Sequence, residues 1–371
     1  MKILHINSDY VAAKFYKNLY DRQIEDGLDI DVFVPVSEPL EMDIAKEYGE
    51  YTTVSVNHNK FDRYFFYFKQ FKILRDIINK YCIDNYSIIH AHYLFSNGNV
   101  AMNLKKRFGV PYIVAVRNTD ANIFFKKMVH LRKLGIKILM NADKVVFLSE
   151  SYRDSVIEEY IPNSIKKDIL EKSYVIPNGI DDFWFNNLGH PKELNNSREI
   201  KLLQIGDIIR NKNIETTVKA IELLIKKGYK VKLDVVGKVK DQKIFDKIKD
   251  LNFVDYLGYK SKEELIQIYR ENDIFVMPSI HETFGLVYAE AMSQGLPVIY
   301  TRGQGFDGHF EDGKVGYSVN CYDYEEISNK VHEIITKYET ISSKAVKGVQ
   351  KFKWDNIAKD YLDVYNNVLR D

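Results

Sequence analysis

The sequence predicts an α/β protein built from two doubly wound domains in series. Its 371 residues exceed what one compact core usually organises and suit two domains of ordinary size. Short β-branched apolar runs alternate with segments of helical length, which is typical of a parallel sheet covered by helices. The alternation stops after residue 176 and resumes at residue 201. The chain is therefore expected to form two such sheets.

The first half of the chain contains a series of short runs that predict strands. They are Lys2 to Ile6, Ile30 to Val34, Ser87 to His90, Tyr112 to Val116, Lys144 to Leu148 and Tyr174 to Ile176. Pro177-Asn178-Gly179 then interrupts the pattern, and the polar stretch from Asn186 to Arg198 has no periodic apolar face. We therefore place the boundary between domains spanning 1–182 and 183–371.

The second half repeats the pattern of strands and helices. Its predicted strands are Lys201 to Ile205, Lys232 to Val236, Phe253 to Leu257, Ile274 to Met277 and Pro297 to Tyr300. Ligands of doubly wound sheets bind beyond the carboxyl ends of the strands, so two facing sheets would create a cleft between the domains. A last helix, at about 354–371, is expected to pack back on the first domain.

Composition excludes several classes of protein. A chain with 45% hydrophobic and 28% charged residues is globular, and no apolar run is long enough to span a bilayer. The first residues lack a secretory signal, which favours a cytoplasmic location. A net charge of +1 argues against a nucleic-acid partner. Cys82 and Cys321 lie too far apart for a disulfide framework, and no His/Cys cluster has metal-ligand spacing, so we expect no metal.

Two common nucleotide-binding motifs are missing. Neither domain opens with a Gly-x-Gly-x-x-Gly turn, and there is no Gly-Lys-Ser/Thr phosphate loop. NAD-dependent enzymes and P-loop nucleotidases are therefore disfavoured.

A strand–loop–helix segment in the second half provides the main candidate site. Glu282 precedes a helix that is expected to begin near Phe284, and Glu290 lies about two turns further along. Unpaired backbone N–H groups at a helix start favour an anion, and Gly285 leaves room for a ligand beside them. A phosphate or a sugar suits this site. Alternatively, the helix dipole alone favours Glu282, and Glu290 lies on a solvated face.

This segment resembles the signature of glycosyltransferase family 4, whose members are retaining enzymes of GT-B fold. The signature is a glutamate, a Phe-Gly-Leu turn and a second glutamate, with seven residues between the two acids. Supporting matches are Pro177-Asn178-Gly179-Ile180-Asp181 and Ile89-His90-Ala91-His92. The resemblance covers most of the chain. It implies an acceptor-binding domain at 1–182, a nucleotide-sugar-binding domain at 183–371, and no cofactor or metal besides the nucleotide-diphosphate sugar as co-substrate.

The resemblance also implies roles in donor binding. Glu290 would bind ribose hydroxyls and Glu282 hydroxyls of the transferred sugar. The remaining donor-binding residues would be Gly206, Gly237, Tyr259, Thr283, Phe284, Gly285 and Leu286. Family members carry an arginine and a lysine that neutralise the diphosphate; Lys212 keeps the lysine, whereas Asp207 stands in place of the arginine. Arg210 either supplies the second charge or is a solvated loop cation.

The first domain departs from the family pattern. Many members have His-Gly where this chain has Arg117-Asn118-Thr119-Asp120. Arg117 is a fourth candidate catalytic residue besides Glu282, Lys212 and Arg210; alternatively, it is a strand-end cation paired with Asp120. The usual glycine-rich loop is replaced by the segment that starts at Asp9. We predict that Asp9, Asp120 and His92 bind the acceptor.

Charge is distributed unevenly along the first domain. Residues 1–50 carry 5 basic and 11 acidic side chains, whereas residues 51–150 carry 16 and 6. Segments 61–76 and 123–138 combine apolar side chains with basic ones, a pattern typical of interfacial amphipathic helices. The alternative is helices that cover the sheet and hold their lysines in water. We predict loose contact with an anionic membrane surface, on the inner face of the cell membrane.

These features together predict a cytoplasmic, retaining hexosyltransferase of polysaccharide or glycoconjugate biosynthesis. It would use a nucleotide sugar donor and a glycan or lipid-linked acceptor. One alternative is a GT-B nucleotide-sugar epimerase, with Asp9 and Asp120 as cleft carboxylates. Another is a catalytically inactive nucleotide-sugar-binding partner of a second transferase, which Asp207 and Arg117 would permit.

Overall fold

The computed structural model describes residues 1–39, 47–194 and 199–370. They divide into two units. The first comprises Met1–Leu148, Tyr152–Pro177 and Trp354–Asp371, and the second Ser149–Ser151 and Asn178–Lys353. Residues 195–198 of the predicted polar stretch, and Asp371 of the predicted last helix, lie outside the described residues.

A parallel sheet forms the centre of the first unit. Its strands are β1 (Lys2–Ile6), β2 (Asp29–Val36), β3 (Thr52–Val56), β4 (Ile88–Ala91), β5 (Tyr112–Val116), β6 (Lys144–Phe147) and β7 (Ser173–Val175). The helices that follow them are α1 (Tyr16–Glu25), α2 (Phe66–Lys80), α3 (Gly98–Phe108), α4 (Arg132–Asn141), α5 (Glu150–Tyr160) and α6 (Lys166–Glu171). The strand order is β3-β2-β1-β4-β5-β6-β7. All residues of β4 and β5 are buried, as expected when helices cover both faces of a sheet.

The second unit repeats this layout with six strands. They are β8 (Ile200–Ile205), β9 (Val231–Val236), β10 (Val254–Gly258), β11 (Ile274–Val276), β12 (Val298–Thr301) and β13 (Gly316–Val319). Its helices are α7 (Asp182–Asn186), α8 (Ile214–Lys226), α9 (Gln242–Ile248), α10 (Lys262–Glu271), α11 (Leu286–Ser293), α12 (Tyr324–Thr336) and α13 (Tyr338–Gly348). The strand order is β10-β9-β8-β11-β12-β13. In both units the order reverses beside the first strand, so the predicted pair of doubly wound parallel sheets is confirmed.

A last helix, α14 (Trp354–Arg370), belongs to the first unit. It packs against α1, where Gln23 Nε2 donates to the Tyr365 hydroxyl at 3.0 Å. Arg22 Nε also lies 2.6 Å from the Asp355 carboxylate. The apolar face of α14 is buried and contributes Trp354, Ile357 and Tyr361 to the core beside β1.

Segment 123–138 does not form the predicted interfacial helix. It consists of the end of a π-helical turn (Asp120–Phe125), a 3-10 turn (Val129–Leu131) and the first residues of α4. Phe125, Leu131 and Ile138 are buried in the core of the first unit. The alternative interpretation, a segment that covers the sheet and leaves its lysines in solvent, is therefore correct here. Every helix among the described residues is too short or too polar to cross a bilayer.

Candidate active site

The carboxyl ends of β8 and β11 lie side by side at the switch point of the second sheet. A 3-10 turn after β8 ends at Lys212, and the loop after β11 carries Glu282. Lys212 Nζ lies 2.7 Å from Glu282 Oε2, and the two side chains are only 22% and 14% exposed. Two residues far apart in sequence thus form one partly buried ion pair at the place where doubly wound sheets bind ligands.

Two asparagines hold the lysine turn against the glutamate loop. Asn211 Nδ2 donates to the carbonyl of His281 at 2.8 Å, and its Oδ1 accepts from the His281 N–H at 3.1 Å. Asn213 Nδ2 donates to the carbonyls of Pro278 and Cys321. Asn213 also has a left-handed φ of 55°. Neither asparagine was identified from the sequence, where a polar loop gives no periodic signal.

A third bracing residue that the sequence did not identify fixes the backbone of Glu282. Gln304 Oε1 accepts a hydrogen bond from the N–H of Glu282 at 3.0 Å, and the Gly305 N–H donates to the Glu282 carbonyl at 3.2 Å. A Cβ on Gly305 would lie 1.7 Å from the carbonyl oxygen of Thr283. The loop from 303 to 306 therefore sets the position of the glutamate.

Backbone conformation and close packing favour glycine at positions 206 and 237. Their φ angles are 155° and 146°, a region that L side chains rarely adopt. A Cβ on Gly237 would lie 2.1 Å from the carbonyl oxygen of Gly206, and one on Gly206 would lie 3.1 Å from Lys212 Cε. The glycines thus let the ends of β8 and β9 approach and let the lysine stem lie across Gly206. Their predicted contact with a donor stays a prediction.

Helix α11 begins at Leu286, two residues later than predicted. Gly285 precedes it with a left-handed φ of 77°, and a Cβ there would lie 2.3 Å from the Tyr288 ring. The Phe284 side chain is buried against Phe306 and Phe352, so it anchors the loop in the core. Any donor contact of Phe284 would therefore be made by its backbone, whereas Thr283 is exposed.

Glu290 does not lie on a solvated helix face. Its Oε2 accepts from the Tyr269 hydroxyl at 3.3 Å. Burial raises the pKa of Glu290 to about 7, although the Tyr269 hydrogen bond and the nearby Lys262 oppose this shift. This carboxylate is therefore partly protonated at neutral pH.

Asp207, which stands in place of the expected arginine, forms an ion pair of its own. Asp207 Oδ2 lies 2.5 Å from Lys240 Nζ, and this hydrogen bond is the main cause that lowers the pKa of Asp207. The pair neutralises the acid beside the lysine turn. Arg210 is exposed, and its predicted role as the second cation stays a prediction.

Tyr259 presents an aromatic ring beyond the end of β10. The residue is 69% exposed, and Lys238 Nζ lies 4.8 Å from its ring centroid. An exposed ring with a cation above it offers a flat surface on which another planar group can stack.

In the first unit, Asp120 is not open to an acceptor. Its carboxylate is buried and accepts from the N–H groups of Leu94, Phe95 and Arg117 at 3.1, 3.1 and 2.9 Å. Burial raises the pKa of the Asp120 carboxyl to about 6, although the three backbone hydrogen bonds favour its charged form and oppose this shift. The carboxylate therefore holds the turns after β4 and β5 together, which departs from the acceptor contact predicted for it.

Arg117 is also buried, at the end of β5. Its Nε donates to the His92 carbonyl at 3.3 Å, and its guanidinium lies 5.8 Å from the centroid of the Tyr16 ring. Its backbone N–H donates to Asp120 Oδ2 at 2.9 Å, and its predicted catalytic role stays a prediction. Asp9 is the predicted acceptor residue that stays partly exposed, and it accepts from the Tyr93 hydroxyl at 2.7 Å.

His92 is buried in a cluster with His5 and His90, whose ligand atoms all lie within 4.8 Å of one another. His5 Nδ1 and His92 Nε2 share a hydrogen bond of 3.0 Å. The rings of His90 and His92 stack 3.9 Å apart with an interplanar angle of 21°. A metal lies near the plane of each imidazole that ligates it, so two stacked rings cannot both bind one ion.

Desolvation lowers the pKa of each of these histidines and keeps them neutral. His90 Nδ1 lies 2.8 Å from the Tyr365 hydroxyl on α14. The cluster is therefore a hydrogen-bonded core network that ties the last helix to the sheet. The fully buried His92 does not present its ring to an acceptor, contrary to the prediction.

Two doubly wound domains in series, with an ion pair at the switch point of the second sheet, have the GT-B architecture. Residues 12–182 match the family described as Glycosyltransferase Family 4, and residues 187–347 match the family described as Glycosyl transferases group 1. The two matches together account for most of the chain. The protein belongs to glycosyltransferase family 4, as the resemblance in its sequence implied.

Individual relatives agree with this assignment. An uncharacterized glycosyltransferase of Methanocaldococcus jannaschii is 26% identical over 335 residues, which is 87% of each chain. Sucrose-phosphate synthase from Thermosynechococcus elongatus has a similar fold, with a TM-score of 0.75, 19% identity and coverage of 100% and 99% of the two chains. HepE from Anabaena, solved in complex with UDP-glucose, gives a TM-score of 0.68 at 16% identity, with 99% and 100% of the chains covered.

Proposed function

We propose that this protein transfers a hexose-type sugar from a nucleotide-diphosphate sugar to a glycan or lipid-linked acceptor, with retention of anomeric configuration. The observation that carries the proposal is the Lys212–Glu282 ion pair at the switch point of the second sheet. The complex of Anabaena HepE with UDP-glucose supports the donor class. We place the reaction in polysaccharide or glycoconjugate biosynthesis in the cytoplasm.

The proposed chemistry uses the lysine at the leaving group. The acceptor oxygen attacks the anomeric carbon on the same face that the diphosphate leaves, as the bond to the diphosphate breaks through an oxocarbenium-like transition state. Negative charge then develops on the diphosphate, and the Lys212 ammonium stabilises it electrostatically. The acceptor proton passes to an oxygen of the leaving diphosphate. Glu282, freed from the lysine, accepts hydrogen bonds from hydroxyls of the transferred sugar.

The remaining donor contacts are assigned to side chains around the Lys212–Glu282 pair. Glu290 accepts the ribose hydroxyls, and the exposed Tyr259 ring stacks on the base. Lys212 with Arg210 replaces the charge that a divalent cation would supply to the diphosphate. The proposed reaction is therefore independent of added metal.

Donor binding is tested by a thermal-shift panel of nucleotide sugars. A true donor raises the melting temperature by mass action. Lys212→Ala should abolish that rise, whereas Lys219→Ala, on the exposed face of α8, serves as the matched control and should keep it. A rise that persists in the Lys212 variant would place the donor elsewhere.

Product analysis separates the alternatives. A transferase converts donor and acceptor into glycoside and nucleoside diphosphate, an epimerase changes the donor alone, and an inert partner does neither. The epimerase alternative is not favoured, because Asp120 is occupied by three backbone N–H groups. The inert alternative is disfavoured by the presence of Glu282, Glu290 and Lys212.

A further inference from the structure

Exposed aromatic side chains crowd one surface of the first unit. They lie in the turn Lys60–Tyr64 and at the start of α2, and each is between 54% and 76% exposed. This aromatic ridge consists of Phe61, Tyr64, Phe65, Tyr67, Phe68 and Phe71. A contiguous exposed apolar surface of this kind marks an interaction site on a soluble domain.

The ridge is not needed for packing within the unit. Helix α2 buries Gln70, Ile73 and Ile77, which recur on one face at helical spacing. At 100° per residue, Phe68 and Phe71 lie on the opposite side of the helix from that buried face. The helix therefore has a complete core face and a second apolar face directed at solvent.

Cationic side chains surround the ridge. Lys72 Nζ lies 4.4 Å from the centroid of the Phe68 ring and pairs with Asp62 at 2.7 Å. Arg75 is exposed on the same side of α2 as Phe68. The ring centroids of Phe66 and Phe124 lie 6.2 Å apart, so the segment that carries the exposed Lys126 and Lys127 lies beside the start of α2.

We propose that the aromatic ridge inserts into the headgroup region of an anionic lipid bilayer. Aromatic rings prefer the membrane interface, and clustered basic side chains are attracted to anionic lipid. Residues 51–150, with 16 basic and 6 acidic side chains, provide the complementary charge. The ridge at 61–71 is the element that inserts, whereas segment 123–138 buries Phe125, Leu131 and Ile138 in the core and contributes exposed lysines. The inference rests on the proposed function in one respect, because a transferase that uses a lipid-linked acceptor needs access to the membrane surface.

Vesicle co-sedimentation of the full chain tests the proposal. We expect binding to vesicles of equimolar phosphatidylcholine and phosphatidylglycerol, weaker binding at high salt, and little binding to phosphatidylcholine alone. The combined change of Phe65, Phe68 and Phe71 to serine should lower the partition coefficient about a hundredfold. The matched control changes Met140 and Leu170, which are 52% and 48% exposed elsewhere on the unit, to serine and should bind normally. Equal loss in both variants would overturn the proposal.

Fluorescence provides a second readout that does not depend on removing side chains. The native tryptophans, Trp184 and Trp354, are buried, so a Phe68→Trp variant carries one exposed indole. Its emission should shift to the blue with anionic vesicles and stay unchanged with neutral ones. An unchanged spectrum with both kinds of vesicle would overturn the proposal.

Self-association is the main competing explanation for the ridge. Concentration-dependent dimerisation that the triple serine variant abolishes, without vesicle binding by the parent, would refute the membrane contact and assign the ridge to a second copy. The nucleotide-sugar thermal shift is measured on the same variants. It should be unaffected, so failure of vesicle binding and failure of the proposed donor site are distinguishable.

Discussion

Replacement of Lys212 by alanine should separate catalysis from stability at the proposed active site. The change removes the cation that lies 2.7 Å from Glu282 and leaves a carboxylate that is only 14% exposed without this partner. Removing one partner of an exposed pair costs at most about 1 kcal/mol and removing one partner of a fully buried pair costs about 3 to 5 kcal/mol, so Lys212→Ala should lower the free energy of unfolding by about 1 to 3 kcal/mol.

The effect on turnover should be larger than the effect on stability. Removing one group that stabilises charge developing in the transition state typically lowers kcat about 100- to 1,000-fold. Steady-state kinetics with the donor identified by thermal shift would measure this loss, and denaturant unfolding would measure stability.

A double variant distinguishes the two effects. Lys212→Ala combined with Glu282→Gln removes both charges, so it should recover part of the lost stability but none of the lost turnover. Lys240→Ala breaks the more exposed pair with Asp207 and serves as the control, with a stability loss within about 1 kcal/mol. Turnover within a few-fold of the parent in Lys212→Ala would refute the proposed role of the lysine.

Four further predictions concern the same unit. Because Glu290 has a folded-state pKa of about 7, donor affinity should rise as the pH increases from 6 to 8, and Glu290→Gln should flatten this profile in titrations of donor binding. The raised pKa also affects stability. Protonated Glu290 stabilises the folded state fully below about pH 4.5, and this contribution is lost as the pH rises through 7. Glu290→Gln should therefore raise the free energy of unfolding at pH 8 by up to about 3 kcal/mol, measured by denaturant unfolding, and an unchanged free energy would contradict the raised pKa of the carboxylate. Gly237→Ala should cost about 2 kcal/mol or more, because its Cβ would lie 2.1 Å from the Gly206 carbonyl, whereas Gly228→Ala, with nothing within 4 Å of its Cβ, should cost about 1 kcal/mol in the same assay. Activity should survive EDTA, and a strict need for Mg²⁺ or Mn²⁺ would contradict electrostatic stabilisation by Lys212 and Arg210 alone.

The strands that sequence patterns predict well are those buried on both faces. The run at β5 is continuously apolar and that at β1 nearly so, because helices cover both sides of the sheet. Strands β3 and β13 were missed: β3, with the sequence TTVSV, is a polar edge strand, and β13 has only four residues, two of which are Gly316 and Ser318.

The candidate site was predictable only in part. Lys212 and Glu282 were identified through the spacing of a motif, and they do meet. Asn211, Asn213 and Gln304 were missed, because a residue that braces a loop through its side chain has no characteristic spacing.

The first unit shows the opposite error. Asp120 and His92 follow strands, where ligand-binding residues often lie, but both side chains turn inward to satisfy polar groups of the protein itself. The sequence does not specify toward which side a strand-end residue points, because its neighbours in space come from other strands and from α14.

The return of α14 to the first unit makes that unit discontinuous along the chain. Its core receives Trp354, Ile357 and Tyr361 only after the whole second unit has been synthesised. During synthesis the first unit therefore cannot complete its core beside β1 until residues 354–370 have been made, whereas the second unit folds largely from contiguous sequence. A fragment that stops at Pro177 should consequently be aggregation-prone, and supplying residues 354–370 as a separate peptide should restore its solubility.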